Sequence, residues 1–167
     1  MSPRHRAVFL VGFMGSGKTT IGRALARLLG WDFVDLDERI VETEGRGIAA
    51  ILRDAGEPFF RDLEGRLLAS LAGRARIVVA CGGGTYAHPP SRALIDAMGA
   101  AIWLQIPLHL ALARCEAGPV RPLLSGAEQA EALYRRRLPS YSAAPVHVPV
   151  EGLTPEEAAE RIAARLE

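Results

Sequence analysis

The stretch Gly12-Phe-Met-Gly-Ser-Gly-Lys-Thr19 fits the pattern GxxxxGK[ST] without a gap. It follows the apolar run Ala7–Val11, a predicted strand, and precedes the amphipathic segment Thr19–Leu29, a predicted helix. The glycine-rich stretch is therefore expected to be the loop between them. Glycines let the backbone curl until its N–H groups point inward, and the helix adds its positive N-terminal end. The pattern therefore predicts a loop that binds the phosphates of a nucleotide.

The lysine of that pattern is the single lysine of the chain. Of the 20 lysine and arginine residues, only Lys18 is a lysine. In such loops the lysine reaches the terminal phosphates, and the next hydroxyl, here that of Thr19, ligates Mg²⁺. A glycine-rich turn that matches by chance is the alternative, but the position of Lys18 favours binding of ATP and Mg²⁺.

Short apolar runs alternate with helical patterns along the chain. The predicted strands are Ala7–Val11, Trp31–Val34, Ile77–Ala80, Ala100–Leu104 and Val146–Val150. The predicted helices are Thr19–Leu29, Ile48–Ala55, Phe60–Leu71, Ser91–Met98, Leu108–Cys115 and Ala127–Leu138, with a last helix capped by Thr154. This order predicts an α/β fold with three α/β/α layers around a five-stranded parallel sheet. With 167 residues, 49% of them apolar, we expect one domain over residues 1–167.

Bulk composition argues against several other functions. The net charge is +1, so no overall field favours nucleic acid or an anionic membrane surface as a partner. No run approaches the ~18 apolar residues that a membrane span needs. Cys81 and Cys115 are too few for a disulfide framework, which fits a reducing compartment. We therefore predict a cytoplasmic protein.

Two carboxylates follow the second predicted strand, in Asp35-Leu-Asp37. In open parallel sheets, ligands bind beyond the carboxyl ends of the strands, so these side chains are expected to face the phosphate loop. Alternation along an extended segment places Asp35 and Asp37 on the same side. Alternatively, Asp37 is the N-cap of a following helix.

Two further features, the three glycines and three arginines, have two interpretations each. Gly82-Gly-Gly84 follows the third predicted strand and suits either a plain turn or a close approach of a ligand to backbone. Arg61, Arg121 and Arg137 are either binding residues or ordinary surface arginines. Glycines and prolines interrupt any regular pattern around Arg121, which makes residues 115–127 a candidate lid.

Together these pieces resemble the shikimate kinases. The motifs are GSGKTT (residues 15–20), DLD (35–37), GEPFFRDLE (56–64), GGG (82–84), RPLL (121–124) and RLPSY (137–141). Each motif after the first is weak evidence for the family by itself. Together the motifs occur in the family's order and spacing and span nearly the whole chain. The resemblance implies a P-loop kinase that transfers the γ-phosphoryl of ATP to the 3-hydroxyl of shikimate.

The resemblance also implies roles at the acceptor side, in a substrate-binding segment over about residues 35–64. Asp37 holds ring hydroxyls and takes the proton of the attacking hydroxyl, while Asp35 lies nearer the magnesium. The substrate carboxylate is clamped by two arginines and the glycine backbone, which are Arg61, Arg137, Gly82, Gly83 and Gly84. Glu64 holds Arg61 in place.

At the nucleotide side, the resemblance implies that Arg121 belongs to a lid that closes over ATP and takes part in catalysis with Lys18. Arg114 borders the adenine. The nucleotide-binding residues are then Gly15, Ser16, Gly17, Lys18, Thr19, Thr20, Arg114 and Arg121, and the metal ligands are Thr19 and Asp35.

Tyr86, and Pro119 beside Gly118, depart from residues common at these positions in the family, but no residue with an assigned role is missing. A gluconate-type sugar-acid kinase and a catalytically silent kinase-like binding domain are the alternatives. The protein is expected to act as a monomer.

Overall fold

The computed structural model describes residues 6–116 and 126–167, in which strands and helices alternate. The strands are β1 (Ala7–Val11), β2 (Asp32–Asp35), β3 (Ile77–Ala80), β4 (Gly99–Gln105) and β5 (Val146–Pro149). The helices are α1 (Lys18–Leu29), α2 (Leu36–Glu44), α3 (Ile48–Ala55), α4 (Glu57–Ala69), α5 (Pro89–Met98), α6 (Leu108–Glu116), α7 (Ala127–Ser142) and α8 (Pro155–Leu166).

The five strands form one parallel sheet in the order β2-β3-β1-β4-β5. Strand β1 lies at its centre, with Val8 opposite Val78 on one side and Ala100 on the other. All five residues of β1 are buried, because helices cover both faces of the sheet. This arrangement confirms the predicted three-layer α/β/α fold, and it places the phosphate loop at the carboxyl end of the central strand.

The element boundaries differ from the predicted ones mainly at the helices. Helix α4 begins at Glu57, with Pro58 in its first turn, where the apolar pattern predicts a start at Phe60. The predicted end of α7 at Leu138 is wrong, because the helix continues through Pro139 to Ser142. Within the described ranges, no helix has both the length and the apolar character needed to cross a bilayer.

The predicted start of the last helix is confirmed by its capping contacts. Thr154 Oγ1 accepts the Glu157 N–H at 3.1 Å, and the Glu157 carboxylate accepts the Thr154 N–H at 3.0 Å. Each contact gives a partner to an N–H that the helix leaves without one. Because α8 packs along α1, these contacts also support the helix that follows the phosphate loop.

Replacing Thr154 with alanine is expected to lower the free energy of unfolding by about 1 kcal/mol, because the cap acceptor is lost. Urea unfolding followed by circular dichroism measures the change. Thr43→Ala is the control, since Thr43 lies inside α2 and its exposed hydroxyl only donates to the Arg39 carbonyl. Equal losses in both variants would show that the cap contributes nothing specific.

Candidate active site

The phosphate loop adopts a conformation that only its glycines allow. Gly15 and Gly17 have φ values of +80° and +91°, in the left-handed region. A β-carbon on Gly15 would lie 2.4 Å from the Ala111 carbonyl oxygen. Gly17 supplies no side-chain cap to α1, so the first N–H groups of that helix are available to an anion. The backbone conformation of the loop is therefore compatible with the predicted binding of phosphates.

The ammonium group of Lys18 lies over the loop. Its Nζ donates to the carbonyl oxygens of Gly12 at 2.7 Å and Phe13 at 3.0 Å. The side chain is nearly buried and lines a cavity of about 380 Å³ above the loop. These two bonds thus hold the positive charge of Lys18 at the floor of the cavity above the phosphate loop.

Thr19 and Asp35 meet at one wall of this cavity, as their assignment to one metal site requires. Thr19 Oγ1 donates to Asp35 Oδ2 at 2.5 Å. Asp35 Oδ1 accepts the Glu38 N–H at 3.0 Å, which makes Asp35, not Asp37, the N-cap of α2. The proposed cap role of Asp37 is therefore wrong.

Asp37 lies in the first turn of α2, so the alternation argument for its direction is also wrong. The chain leaves the extended conformation at Leu36, before alternation can apply. Both carboxylates nevertheless line the cavity above the phosphate loop. A β-carbon on Gly82 would lie 2.8 Å from Asp37 Oδ1, which shows how closely the glycine turn approaches this carboxylate.

A second, smaller cavity of about 100 Å³ adjoins the first. One wall is apolar and consists of Ile48, Leu52 and Phe60. The opposite wall consists of the glycine turn and of charged side chains, which are Asp37, Glu57, Arg61, Glu64 and Arg137. Asp37 and Gly83 line both cavities, so a ligand in one would face a ligand in the other across Asp37.

The structure shows the predicted contact between Arg61 and Glu64. Arg61 Nη1 donates to Glu64 Oε1 at 2.9 Å, and Arg61 Nε lies 3.6 Å from Glu57. Glu64 is fully buried, and its other oxygen accepts the Thr85 hydroxyl at 2.9 Å. Glu64 thereby ties the arginine of α4 to the residue that follows the three glycines.

Arg137 approaches the same glycines from α7. A β-carbon on Gly84 would lie 3.0 Å from Arg137 Nη2 and 2.4 Å from Arg61 Nη2. Burial lowers the pKa of the Arg137 guanidinium from its usual value, and the positive charge of Arg61 acts in the same direction. Among the described residues, no acceptor contacts the buried Arg137 Nη1. Two guanidinium groups that converge with an unused donor form a site for an anion.

The remaining nucleotide-side residues lie around the first cavity. Arg114 lines it from α6, and its Nη1 donates to the Gly15 carbonyl at 3.2 Å. Thr20 lines the rim, while Ser16 is fully buried within the loop. Arg121 and most of the predicted lid, residues 117–125, lie outside the described residues.

Several lining residues were not predicted from the sequence. Val150, Leu153 and Pro155 border the first cavity after the last strand. Their place beyond the carboxyl end of β5 was a usable signal, because ligands bind at that edge of a parallel sheet. Ile48 and Leu52 gave no such signal, since an apolar residue on a helix usually belongs to the core.

Tyr86, which departs from the residues common in the family, is accommodated by α5. The buried phenol donates to Asp96 Oδ1 at 2.7 Å, and the Arg92 guanidinium lies over its ring. Burial and the bond to Asp96 raise the pKa of Tyr86 to about 12. The side chain therefore packs away from the two cavities.

Comparisons with known proteins agree on one family. The family model for shikimate kinase matches residues 14–167. A shikimate kinase of Persephonella marina is 38% identical over 162 residues, which cover 96% of this chain and 99% of that protein. The structure of the Acinetobacter baumannii shikimate kinase in complex with shikimate has a TM-score of 0.90 and 33% identity, covering 97% and 93% of the two chains. For the Aquifex aeolicus shikimate kinase the TM-score is 0.85 at 34% identity, with 96% and 95% covered.

The fold, the phosphate loop and the adjoining arginine-lined cavity define an ATP-dependent kinase of the P-loop class. The match of the family model to residues 14–167 and the sequence identity to the relatives show which family of P-loop kinases this is. The chain belongs to the shikimate kinase family.

Proposed function

We propose that this enzyme transfers the γ-phosphoryl group of ATP to the 3-hydroxyl of shikimate, giving shikimate 3-phosphate and ADP. The observation that carries the proposal is that Asp37 and Gly83 line both the cavity above the phosphate loop and the arginine-lined cavity. An acceptor in the second cavity then faces a triphosphate in the first. The A. baumannii relative, which was solved with shikimate bound, supports this choice of acceptor.

The carboxylate of the acceptor binds between Arg61 and Arg137, beside the glycine turn. Guanidinium groups offer paired N–H donors that match the two oxygens of a carboxylate. An anion between them also relieves the repulsion of two like charges held close to Gly84. This placement turns the hydroxyl-bearing side of the ring toward Asp37.

Asp37 then accepts a hydrogen bond from the 3-hydroxyl and directs its oxygen at the γ-phosphorus. As the new O–P bond forms, the bond from the γ-phosphorus to the bridging oxygen of ADP breaks, and the hydroxyl proton passes to Asp37. Phosphoryl transfer depends more on positioning and charge neutralisation than on covalent help. Lys18 and the loop N–H groups supply that neutralisation at the phosphates.

Magnesium fits the residues at the wall of the first cavity. Thr19 Oγ1 and Asp35 Oδ2 are adjacent oxygens, the ligand type that Mg²⁺ prefers, and phosphates and water complete such sites. We assign Thr19 and Asp35 to hold the ion. When bound, Mg²⁺ withdraws charge from the β- and γ-phosphates.

We further propose that residues 115–127 form a lid over ATP and that Arg121 neutralises charge on the transferred group. A lid keeps water from competing for the phosphoryl group. Arg114 lines the same cavity and is proposed to border the adenine. The whole chain, residues 1–167, is proposed to act as one domain and as a monomer.

A coupled ADP-release assay with shikimate, gluconate, dCMP or no acceptor tests the proposal. We expect ADP release above the no-acceptor rate with shikimate alone. Activity with gluconate but not shikimate would indicate a sugar-acid kinase. Binding of ATP without turnover of any acceptor would indicate a catalytically silent domain.

Replacing Arg137 with lysine is expected to raise the KM for shikimate by about 10- to 100-fold, since lysine cannot offer a fork to a carboxylate. Initial rates at saturating ATP measure the effect. Arg136→Lys is the matched control, because Arg136 is the exposed neighbour on the same helix. An unchanged KM for Arg137→Lys would place Arg137 outside the acceptor site.

A further inference from the structure

The hydroxyl of Tyr141 contacts the glycine turn. Its Oη donates to the Gly83 carbonyl oxygen at 2.5 Å. The side chain is fully buried, and its ring packs on Trp103 of β4 with the centroids 6.0 Å apart. Burial raises the pKa of Tyr141 to about 12, so the phenol keeps its proton near neutral pH and remains a donor.

Tyr141 anchors the turn of α7 that carries Arg137. The two residues are four apart on the helix and therefore share a face. Pro139 lies between them, and proline has no N–H for the helix ladder and crowds the preceding turn. This part of α7 therefore lacks one of the backbone hydrogen bonds that hold a regular helix together. The bond from Tyr141 to Gly83 restrains it from outside the helix.

The same bond orients the glycine turn. The structure contains no cis peptide among the described residues, so the Gly84 N–H points opposite to the Gly83 carbonyl in their shared planar peptide. By holding that carbonyl on the α7 side, Tyr141 directs the Gly84 N–H away from itself. Arg137 Nη2 lies 3.0 Å from the position of a β-carbon on Gly84. One hydroxyl thus restrains the Gly83–Gly84 peptide, and Arg137, one helical turn before Tyr141, lies against Gly84 of that same peptide.

We propose that Tyr141 is a positioning residue for the acceptor, which sets the distance between Arg137 and the Gly83–Gly84 peptide and so the fit of the acceptor carboxylate. This inference rests on the proposed function, because it takes that carboxylate to be the one on shikimate. Tyr141 acts through Arg137 and the turn.

Tyr141→Phe tests the proposal, since it removes the hydroxyl and keeps the ring against Trp103. We expect the KM for shikimate to rise about tenfold, while the KM for ATP stays within about twofold. A purely structural role would not separate the two KM values. The matched control is Tyr86→Phe, which removes another buried tyrosine hydroxyl, bonded to Asp96 on α5. We expect it to leave both KM values unchanged.

A double-mutant cycle tests whether the effects of Tyr141 and Arg137 on the shikimate KM are coupled. If Tyr141 acts through Arg137, Tyr141→Phe should raise the shikimate KM much less in the Arg137→Lys background than in the wild type. Fully additive effects, an unchanged shikimate KM in Tyr141→Phe, or a parallel rise of both KM values would overturn the proposal. A wild-type enzyme inactive with shikimate would instead contradict the proposed function itself, and that measurement is made first.

Discussion

Lys18→Ala is expected to lower kcat by about a thousandfold, the scale seen when a group that stabilises transition-state charge is removed. The ammonium is fixed at the floor of the phosphate cavity by the Gly12 and Phe13 carbonyl oxygens. Because the site is partly shielded from water, its charge acts on the transferred phosphoryl group with little screening. No other lysine in the chain can substitute for it.

Steady-state rates at saturating ATP and shikimate measure this loss. Arg27→Ala is the matched control, since it removes a positive charge from the exposed far end of the same helix. We expect the control to keep wild-type kcat. A Lys18→Ala enzyme that retains more than about a tenth of wild-type kcat would remove the lysine from the mechanism.

Asp37→Asn is expected to lower kcat about a hundredfold or more, the scale of general acid–base and positioning contributions. Asparagine keeps the shape of the side chain but cannot take the hydroxyl proton. The KM for ATP should change little, because Asp35 and Thr19 remain beside the phosphate loop.

Single-turnover rates with bound ATP separate this loss of chemistry from changes in product release. The control is Glu38→Gln, at the next position of α2, where an exposed carboxylate pairs with Arg23 on the surface. Should Asp37→Asn keep wild-type kcat, another group must manage the hydroxyl proton.

The phosphate loop was predictable from local sequence alone. A glycine-rich loop between a buried strand and a helix depends on backbone conformation, which Gly15 and Gly17 determine directly. The direction of Asp37 was not predictable in the same way. The alternation argument required an extended chain through residue 37, but Asp35 caps α2 and the helix starts at Leu36.

The acceptor side was not predictable from spacing, because it is assembled by tertiary contacts. Arg61 and Arg137 are 76 positions apart by their numbers and meet at Gly84 only when α4 and α7 pack against the turn. Nothing in their local sequence separates them from the other arginines. The ordered set of family motifs identified them, and the structure then brought them together.

Helix α7 shows how packing overrides a local signal. The predicted helix ended at Leu138, next to Pro139, and proline disrupts a helix ladder. The helix continues because Tyr141 is buried and bonded to Gly83, three positions beyond the expected end. Tyr141, which lay outside the predicted helix, thus connects that helix to the glycine turn.

Identifying the reaction product by NMR tests the assigned acceptor and its orientation together. The enzyme is incubated with ATP, Mg²⁺ and shikimate, and the ³¹P and ¹H spectra locate the new phosphate ester on the ring. With the carboxylate between Arg61 and Arg137, the proposed orientation predicts a single ester at the 3-hydroxyl. An ester at another hydroxyl, or inorganic phosphate as the only new phosphorus species, would contradict it.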